Sequence, residues 1–262
     1  MSTLSLFRLD GRVALVSGAG RGIGAASALA LAEAGADVAV LARTAADLDE
    51  VAAAARRFGG RAIALPTDAS DPGAVSAAVE RTVAELGGLD VVVNVVGGAR
   101  PRPFLDTSDD VLRAAYEHNV ISGLRLVRTA LPHLRSSDAP SIVLVSSAIG
   151  HVTGRGYVAY GSVKASLDHA VRLLAAELNP RIRINAVAPG AVMTDALASI
   201  ADGPIVAAIA QATPLRRIGT VEEIAAAVLY LASPAGAYVT GQILAVDGGM
   251  QVTNMDMPFP DL

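Results

Sequence analysis

A single lysine in this chain stands one helical turn after a tyrosine, a spacing that suits acid–base chemistry. Lys164 is the only lysine among the twenty-one basic residues, and Tyr160 lies four positions before it. On a helix, side chains four residues apart lie on one face. A nearby ammonium stabilises a tyrosinate and lowers the phenol pKa from about 10 toward neutral pH. The pair therefore predicts a tyrosine that exchanges protons with a substrate, with an ordinary surface pair as the alternative.

A glycine-rich turn near the start of the chain predicts a phosphate-binding site. The turn follows the first predicted strand and opens an Ala-rich helix. Its key residues are Gly18, Gly20, Arg21, Gly22, Ile23 and Gly24. Glycines let the backbone approach a pyrophosphate closely, and free N–H groups at a helix N-terminus attract an anion. Glycines also form plain turns, but the position between strand and helix favours a dinucleotide site.

The end of the second predicted strand indicates which dinucleotide binds. A chain that binds NAD usually has Asp or Glu there for the ribose hydroxyls, whereas this one has Leu41-Ala42-Arg43. No carboxylate is available, and Arg43 with Arg21 would clamp a 2′-phosphate. The sequence therefore predicts NADP, with NAD less favoured and two solvated arginines as the alternative. Asp68, after the third predicted strand, is expected to reach the adenine amino group or else to cap a helix.

The elements that position these residues alternate along the chain. Short β-branched runs alternate with longer amphipathic stretches, which is typical of βαβ units around a parallel sheet. Strands are predicted near residues 12–17, 37–42, 61–66, 89–94, 140–146, 181–187 and 242–246. Helices are predicted near residues 22–34, 45–58, 71–86, 108–135, 157–178 and 220–232.

The pattern predicts an α/β fold in which one Rossmann-type domain spans residues 1–262. Its sheet is expected to be parallel and doubly wound, with seven strands and helices on both faces. No linker or repeat interrupts the series. The irregular stretch 188–219 contains several Gly and Pro residues, and we expect it to form a lid over a binding cleft.

Composition and charge exclude several classes of function. The net charge is −4 and no Lys/Arg run is present, so no nucleic-acid partner is expected. Cysteine is absent and the four histidines lack metal-ligand spacing, so no metal site is expected. Residues 1–10 show no signal-peptide pattern, and no apolar run approaches the roughly 20 residues that span a bilayer. We therefore expect a cytoplasmic protein that does not bind membranes.

Further motifs follow in an order and spacing that belong to a known family. They are Asn94-Val95-Val96-Gly97, Asn119, Ser146-Ser147, Tyr160 with Lys164, Pro189-Gly190, Thr240-Gly241-Gln242 and Asp247-Gly248-Gly249. With the glycine turn they cover essentially the whole chain, which resembles the short-chain dehydrogenase/reductase family in its compact branch. Val95 and Val96 replace a common Asn-Ala pair, so a side-chain contact is lost or replaced there.

The resemblance implies a catalytic tetrad of Asn119, Ser147, Tyr160 and Lys164. Ser147 would bind the carbonyl oxygen, and Tyr160 would transfer the proton as hydride moves at the nicotinamide. Ser147 is preferred to Ser146 because it precedes Tyr160 by the family's usual interval. Lys164 would lower the Tyr160 pKa and bind the nicotinamide ribose, and Asn119 would hold a water on the proton path. Further cofactor contacts are implied for Ala69, Asn94, Gly97, Pro189, Gly190, Val192 and Thr194.

Two segments resemble bacterial 7α-hydroxysteroid dehydrogenases, namely 97–104 and 190–197 continuing to 213–219. This resemblance implies a small, hydrophobic secondary alcohol or ketone such as a hydroxysteroid. The residues expected to contact it are Ser147, His151, Tyr157, Met193 and Leu197. One alternative is a 3-oxoacyl-thioester reductase, whose acidic carrier protein would contact Arg100, Arg102, Arg125, Arg128 and Arg155. Another is a non-catalytic NADP-binding protein.

The long helices and the tail of the chain bear on assembly. The helices predicted at 108–135 and 157–178 carry more apolar surface than one sheet face covers, and the family commonly forms tetramers through such helices. We therefore expect a homotetramer. The tail 251–262 is apolar and is expected to pack against a neighbouring subunit, with a frayed terminus as the alternative.

Overall fold

Seven parallel strands form one sheet in the computed structural model, which describes residues 2–198 and 203–254. The strands are β1 Val13–Ser17, β2 Asp37–Ala42, β3 Ala62–Pro66, β4 Val91–Asn94, β5 Ser141–Val145, β6 Arg183–Pro189 and β7 Ile243–Val246. Their order across the sheet is β3-β2-β1-β4-β5-β6-β7. The predicted fold class is confirmed.

Helices cover both faces of the sheet. They are α1 Gly22–Glu33, α2 Ala45–Arg56, α3 Pro72–Leu86, α4 Asp109–Tyr116, α5 Ser122–Leu134, α6 Val158–Leu178, α7 Asp195–Ala198, α8 Gly203–Ala212 and α9 Val221–Ala232. One apolar core lies between the sheet and α1, α2 and α9, and the other lies between the sheet and α3, α5 and α6. Because both faces are covered, the central strands are apolar without alternation.

Local signals fix where several helices begin and end. At the start of α3, Asp71 accepts hydrogen bonds from two backbone N–H groups of the first turn. The same helix ends before Gly87, whose φ of 90° suits glycine. At the start of α9, Thr220 and Glu223 form a reciprocal capping box. These caps hold the helices that flank the crevice in place.

The long helix predicted at 108–135 is present from Asp109 to Leu134, with a departure from regular α-helical geometry in its middle. A π-helical turn at Glu117–Ile121 separates α4 from α5. Within this turn the Asn119 side chain donates a hydrogen bond to the Ala115 carbonyl at 2.9 Å. A polar side chain that bonds the preceding turn competes with the regular backbone pattern, and π-turns often occur at functional positions. The interruption points the amide of Asn119 into the protein.

The stretch 188–219, predicted to be irregular, contains the short helix α7 and the helix α8, and the prediction is corrected there. Gly203 and Pro204 lie in the first turn of α8, where proline is well tolerated. The ends of the stretch are tied together, because the Met193 N–H donates to the Gly219 carbonyl at 2.9 Å. The N–H of Gly219 in turn donates to the Ala191 carbonyl at 3.0 Å.

The sheet opens a crevice where its winding reverses. The chain leaves β1 toward β2 on one side, whereas β4 lies on the other side of β1. In open parallel sheets, ligands bind beside the carboxyl ends of the strands at such a point. Ser17 and Asn94 end these two strands and are in register with each other. The glycine-rich turn and the motif after β4 therefore meet at this edge.

None of the helices that the structure describes is long and apolar enough to cross a membrane. Within the same residues, no group of three or more His, Asp or Glu side chains is arranged to hold a metal ion.

Candidate active site

The glycine-rich turn forms a cradle that admits no larger side chains at key positions. A Cβ on Gly24 would lie 2.0 Å from the Gly18 carbonyl oxygen, and one on Gly18 would lie 3.0 Å from the Val96 nitrogen. Gly18 and Gly22 have φ angles of 80° and 56°, which favour glycine. Among the described residues, no side chain caps the N-terminus of α1. Its first N–H groups can therefore bind a pyrophosphate, and the turn fits a dinucleotide.

A cavity of about 390 Å³ runs from this cradle to the tetrad. Its lining includes most of the residues predicted to bind the cofactor, namely Arg21, Gly22, Ile23, Gly24, Gly97, Tyr160, Lys164, Pro189, Gly190, Val192 and Thr194. Gly18, Gly20 and Asn94 are absent from the lining but shape the backbone around it. Gly190 is tightly constrained, since a Cβ there would lie 2.7 Å from the Asp247 Cα. The cavity thus joins the predicted phosphate site to the predicted reaction site.

Asn94 is buried at the end of β4 and is incompletely bonded. Its exposure is 1%, and its Nδ2 donates a long hydrogen bond of 3.5 Å to the Val96 carbonyl. Its Oδ1 has no partner among the described residues.

Arg43 and Asp68, which are predicted to bind the adenosine end, lie outside this cavity, whereas Arg21 lines it. Arg43 is exposed at the end of β2. Asp68 is exposed after β3, and its Oδ1 accepts hydrogen bonds from the backbone and hydroxyl of Ser70. These bonds, with Arg43 adding a smaller effect, lower the pKa of Asp68. The carbonyl of Ala69 accepts a hydrogen bond from Arg125 at 2.8 Å, which fixes this segment. Contact of Asp68 with adenine remains a prediction.

Asp47 brings a carboxylate close to the glycine-rich turn, which the residues at the end of β2 do not indicate. A Cβ on Gly20 would lie 3.4 Å from the Asp47 Cβ, 3.6 Å from its Oδ2 and 3.3 Å from the Ala42 Cβ. The acid comes from the first turn of α2 and not from β2, which is why inspection of the strand end missed it. The only signal in the sequence for this contact was the position of Asp47 in the first turn of the helix that follows β2.

Ser147 and Tyr160 both line the cavity described above and a second cavity that adjoins it. Ser147 follows β5, and its hydroxyl lies close enough to the Tyr160 phenol to influence the pKa of that phenol. Burial raises the pKa of Tyr160, and the Ser147 hydroxyl opposes this effect only in part. The sequence suggested that Lys164 lowers the pKa of Tyr160. In the protein without cofactor this is wrong, because desolvation of the phenol dominates and raises its pKa. The phenol keeps its proton at neutral pH.

Lys164 is buried beneath the cavity. Its exposure is 2%, its Nζ donates to the Val145 carbonyl at 3.0 Å, and this nitrogen lies 5.7 Å from the Tyr160 ring centroid. Burial lowers the pKa of Lys164 to about 8, whereas Asp168 acts to raise it. An ammonium at this position is still mostly charged at neutral pH, and it can donate to a group placed in the cavity.

Asn119 and Lys164 both approach Gly97 closely. A Cβ on Gly97 would be 2.8 Å from the Asn119 Oδ1 and 2.8 Å from the Lys164 Nζ. The Asn119 Oδ1 accepts from the Gly98 N–H at 2.7 Å, and Nδ2 donates to the carbonyls of Gly98 and Ala115. Since both amide hydrogens are used, a water would have to bond Oδ1 or a backbone group. The water-mediated proton path remains a prediction.

A second cavity of about 250 Å³ opens from Ser147 and Tyr160 away from the cradle. Of the residues predicted to contact the substrate, Ser147, Tyr157 and Leu197 line it. His151 and Met193 are not in its lining. His151 Nε2 instead lies 3.7 Å from Asp247 Oδ2, and the partly exposed Met193 lines a groove between α1 and α9. Loop residues gave no sign in the sequence of which way they would face.

The C-terminal segment supplies residues that sequence reasoning missed. Met250, Thr253 and Asn254 line the second cavity. Asn254 Nδ2 donates to the Thr213 hydroxyl at 2.7 Å, which ties this segment to the end of α8. The tail 251–262 is predicted to contact a neighbouring subunit. Residues 255–262 of this tail lie outside the described residues. In the part that is described, the segment packs on its own chain.

Comparisons with known proteins agree with this geometry. The family model described as enoyl-(acyl carrier protein) reductase matches residues 18–251. An uncharacterised oxidoreductase of Mycobacterium tuberculosis is 46% identical, with 99% of each chain covered. The 7α-hydroxysteroid dehydrogenase of Escherichia coli K12 is 38% identical over 92% of this chain and 95% of that one. A solved 7α-hydroxysteroid dehydrogenase with NADH and 7-oxo glycochenodeoxycholic acid aligns with a TM-score of 0.92. It is 37% identical and covers 98% of this chain and 100% of that chain.

Proposed function

We propose that this chain, which belongs to the short-chain dehydrogenase/reductase family, interconverts a hydrophobic secondary alcohol and its ketone with NADP(H). One observation carries the proposal. Ser147 and Tyr160 both lie where a cavity leading from the phosphate cradle meets an apolar cavity. Such a junction is where a nicotinamide and a carbonyl would meet.

Each polar group at this junction has a chemical role in the proposal. The nicotinamide, when bound, supplies or accepts the hydride. The Ser147 hydroxyl donates a hydrogen bond to the substrate oxygen and holds it beside Tyr160. In reduction the Tyr160 Oη gives its proton to that oxygen, and in oxidation it takes the proton back. Lys164 binds the nicotinamide ribose and supplies positive charge below the phenol.

The direction of the Tyr160 shift has a consequence for pH. Because burial raises its pKa, the phenol remains protonated at neutral pH and is ready to donate in ketone reduction. Alcohol oxidation needs the deprotonated form, so its rate should rise as the pH increases above neutrality. In ketone reduction, Lys164 loses its positive charge before Tyr160 loses its proton as the pH rises, because the pKa of Lys164 is about 8.

The preference for NADP rests on the charges at the adenosine end. Arg21 and Arg43 are both exposed beside the cradle and can bind a 2′-phosphate. Asp47 acts in the opposite sense, because a carboxylate would repel that phosphate and would suit a free ribose hydroxyl. Because two arginines outweigh one carboxylate in charge, we expect NADP(H) to bind more tightly than NAD(H). The opposing carboxylate should keep the ratio of the two affinities small.

The second cavity favours a hydrophobic substrate. Apolar side chains and aromatic rings dominate its walls, namely Ala148, Ile149, Tyr157, Leu197 and Met250. A pocket of this kind binds a substrate mainly through apolar contact. The related 7α-hydroxysteroid dehydrogenase binds 7-oxo glycochenodeoxycholic acid, and a hydroxysteroid is the substrate class that we propose.

A 3-oxoacyl-thioester reductase is the second candidate, and the acyl-carrier description of the matching family model favours it. The arginine patch that would contact an acidic carrier protein is weaker than expected. Arg125 is mostly buried and pairs with Glu117 at 2.7 Å. Arg100 and Arg128 remain exposed. A non-catalytic NADP-binding protein is disfavoured, because Ser147, Tyr160 and Lys164 surround one cavity.

We further propose a homotetramer in the cytoplasm. Apolar side chains on α6 stay exposed, with Val158 at 47% and Leu173 at 55%. Covering such side chains in an interface would remove apolar area from water. Light scattering on the purified protein tests this, and a monomeric mass would contradict it.

A substrate panel tests the proposed function. Hydroxysteroids and their ketones, simple secondary alcohols and acetoacetyl thioesters are assayed with NADP(H) and NAD(H) by nicotinamide absorbance. We expect the highest kcat/KM with a hydroxysteroid pair and NADP(H). Preference for acetoacetyl thioesters would favour the second candidate, and NADPH binding without turnover on any compound would favour the non-catalytic protein.

A further inference from the structure

A second ionisable group is buried one helical turn beyond Lys164. Asp168 lies four residues after Lys164 on α6, and only 4% of it is exposed. Its Oδ1 has no hydrogen-bond partner among the described residues. Burying a carboxyl group without full hydrogen bonding costs free energy. The mechanism proposed above does not use this group, so its position calls for a reason.

Asp168 also touches the turn that carries Ser147. A Cβ on Gly150 would lie 3.0 Å from the Asp168 Oδ2 and 3.2 Å from the Ala165 nitrogen, so this turn packs directly on α6. The hydroxyl of Ser146 lies close enough to lower the pKa of Asp168, although Ser146 Oγ meets no geometric criterion for a hydrogen bond within the described residues. The carboxyl group therefore lies between the lysine and the turn after β5.

We propose that Asp168 is a positioning residue for the reaction, which acts through Lys164 and through the turn that holds Ser147. The inference rests on the proposed function, because it assigns Asp168 to the same proton-transfer site. It needs no contact of Asp168 with substrate or cofactor. The carboxyl group keeps positive charge on the buried amine and braces the serine against the helix that carries Tyr160.

The charges around Asp168 support this role. Burial raises the pKa of Asp168, whereas Ser146, Arg172, His151 and Lys164 each lower it. In return, Asp168 is the one neighbour that raises the pKa of Lys164 against burial. Residues four apart on a helix have Cβ atoms about 5–6 Å apart. An opposite charge within about 4–6 Å typically shifts a pKa by about 1–3 units.

The replacement Asp168→Asn separates charge from shape. Asparagine has nearly the same size and keeps a polar group beside Ser146, but it cannot hold a negative charge. The Lys164 pKa should then fall below about 8. The matched control is His169→Gln, which changes the exposed next residue on the same helix. Both variants are compared with the unaltered protein by circular dichroism and thermal melting before any assay.

The pH dependence of ketone reduction and of NADPH affinity is then measured in all three proteins. For Asp168→Asn we expect the alkaline limb of kcat/KM, and the alkaline loss of NADPH affinity, to move down by about one pH unit or more. The control should keep both limbs in place. If Asp168→Asn fails to fold, Asp168→Ser is measured in the same way.

An unmoved alkaline limb in the folded variant would overturn the proposal, whether or not kcat falls, because a merely structural aspartate would lower activity equally at every pH. Turnover and NADPH binding in the unaltered protein would meanwhile leave the proposed function intact. If the unaltered protein neither binds NADPH nor turns over, the proposed function is contradicted and this proposal falls with it.

Discussion

Removal of the Arg43 guanidinium should weaken NADPH binding and leave NADH binding unchanged. The side chain is exposed at the end of β2, beside the place where the ribose 2′-phosphate would lie. A hydrogen bond to a charged group contributes about 1.5–3 kcal/mol. Because Arg43 is exposed and screened by water, the lower end of this range applies. Since about 1.4 kcal/mol corresponds to tenfold in affinity, Arg43→Ala should raise the NADPH Kd about tenfold.

Fluorescence titration with NADPH and NADH measures both dissociation constants on the same protein samples. Arg57→Ala is the matched control, since Arg57 is an exposed arginine at the opposite end of α2. The effect of Arg43→Ala should shrink when salt is added, because a surface charge pair is screened. An equal loss of affinity for both cofactors would refute the reasoning. So would unaltered protein that binds NADH as tightly as NADPH.

Three further replacements test individual contacts. Asp47→Asn should tighten NADPH relative to NADH in the same titration, because it removes the carboxylate nearest to the strand end; an unchanged ratio would place Asp47 outside the ribose site. Lys164→Arg should lower kcat/KM by about 10²-fold or more, because the buried amine lies against Gly97 and leaves no room for a guanidinium, and near-normal turnover would contradict this. Arg183→Lys should lower the melting temperature and leave NADPH affinity unchanged, since Arg183 donates to the Leu231 carbonyl and a second carbonyl, each at 2.8 Å. An unshifted melting curve would show that lysine satisfies these carbonyls equally well.

The sheet was predictable because its strands carry the signal themselves. Runs such as Ile142-Val143-Leu144-Val145 place apolar side chains on both faces of the strand. Such a run is sufficient to predict a strand that helices cover on both sides. The glycine turn was equally clear, because each glycine answers a local steric need. Gly24, for example, has no room for a Cβ beside Gly18. In both cases the residue types alone carry the signal, although some of the contacts that constrain the turn, such as that of Gly18 with Val96, come from distant positions.

Features that depend on distant contacts were missed. The π-turn at Asn119 follows from hydrogen bonds to Gly98, twenty-one positions away, and the apolar periodicity across 108–135 does not reveal it. The proximity of His151 to Asp247, which follows the last strand, has no counterpart in the sequence pattern, and contact of His151 with the substrate remains a prediction. Asp47 escaped notice because its proximity to Gly20 arises only when α2 packs beside the cradle. Such packing cannot be inferred from spacing along one chain.

The central claim is that Tyr160 transfers the proton while the cofactor binds elsewhere in the same cavity. Tyr160→Phe removes only the phenol oxygen, so one protein sample is used for NADPH titration and for reduction of the best ketone from the panel. We expect an NADPH Kd equal to that of the unaltered protein and a kcat lowered by about 10²-fold or more. A variant that binds NADPH normally and still reduces the ketone at close to the unaltered rate would contradict the account.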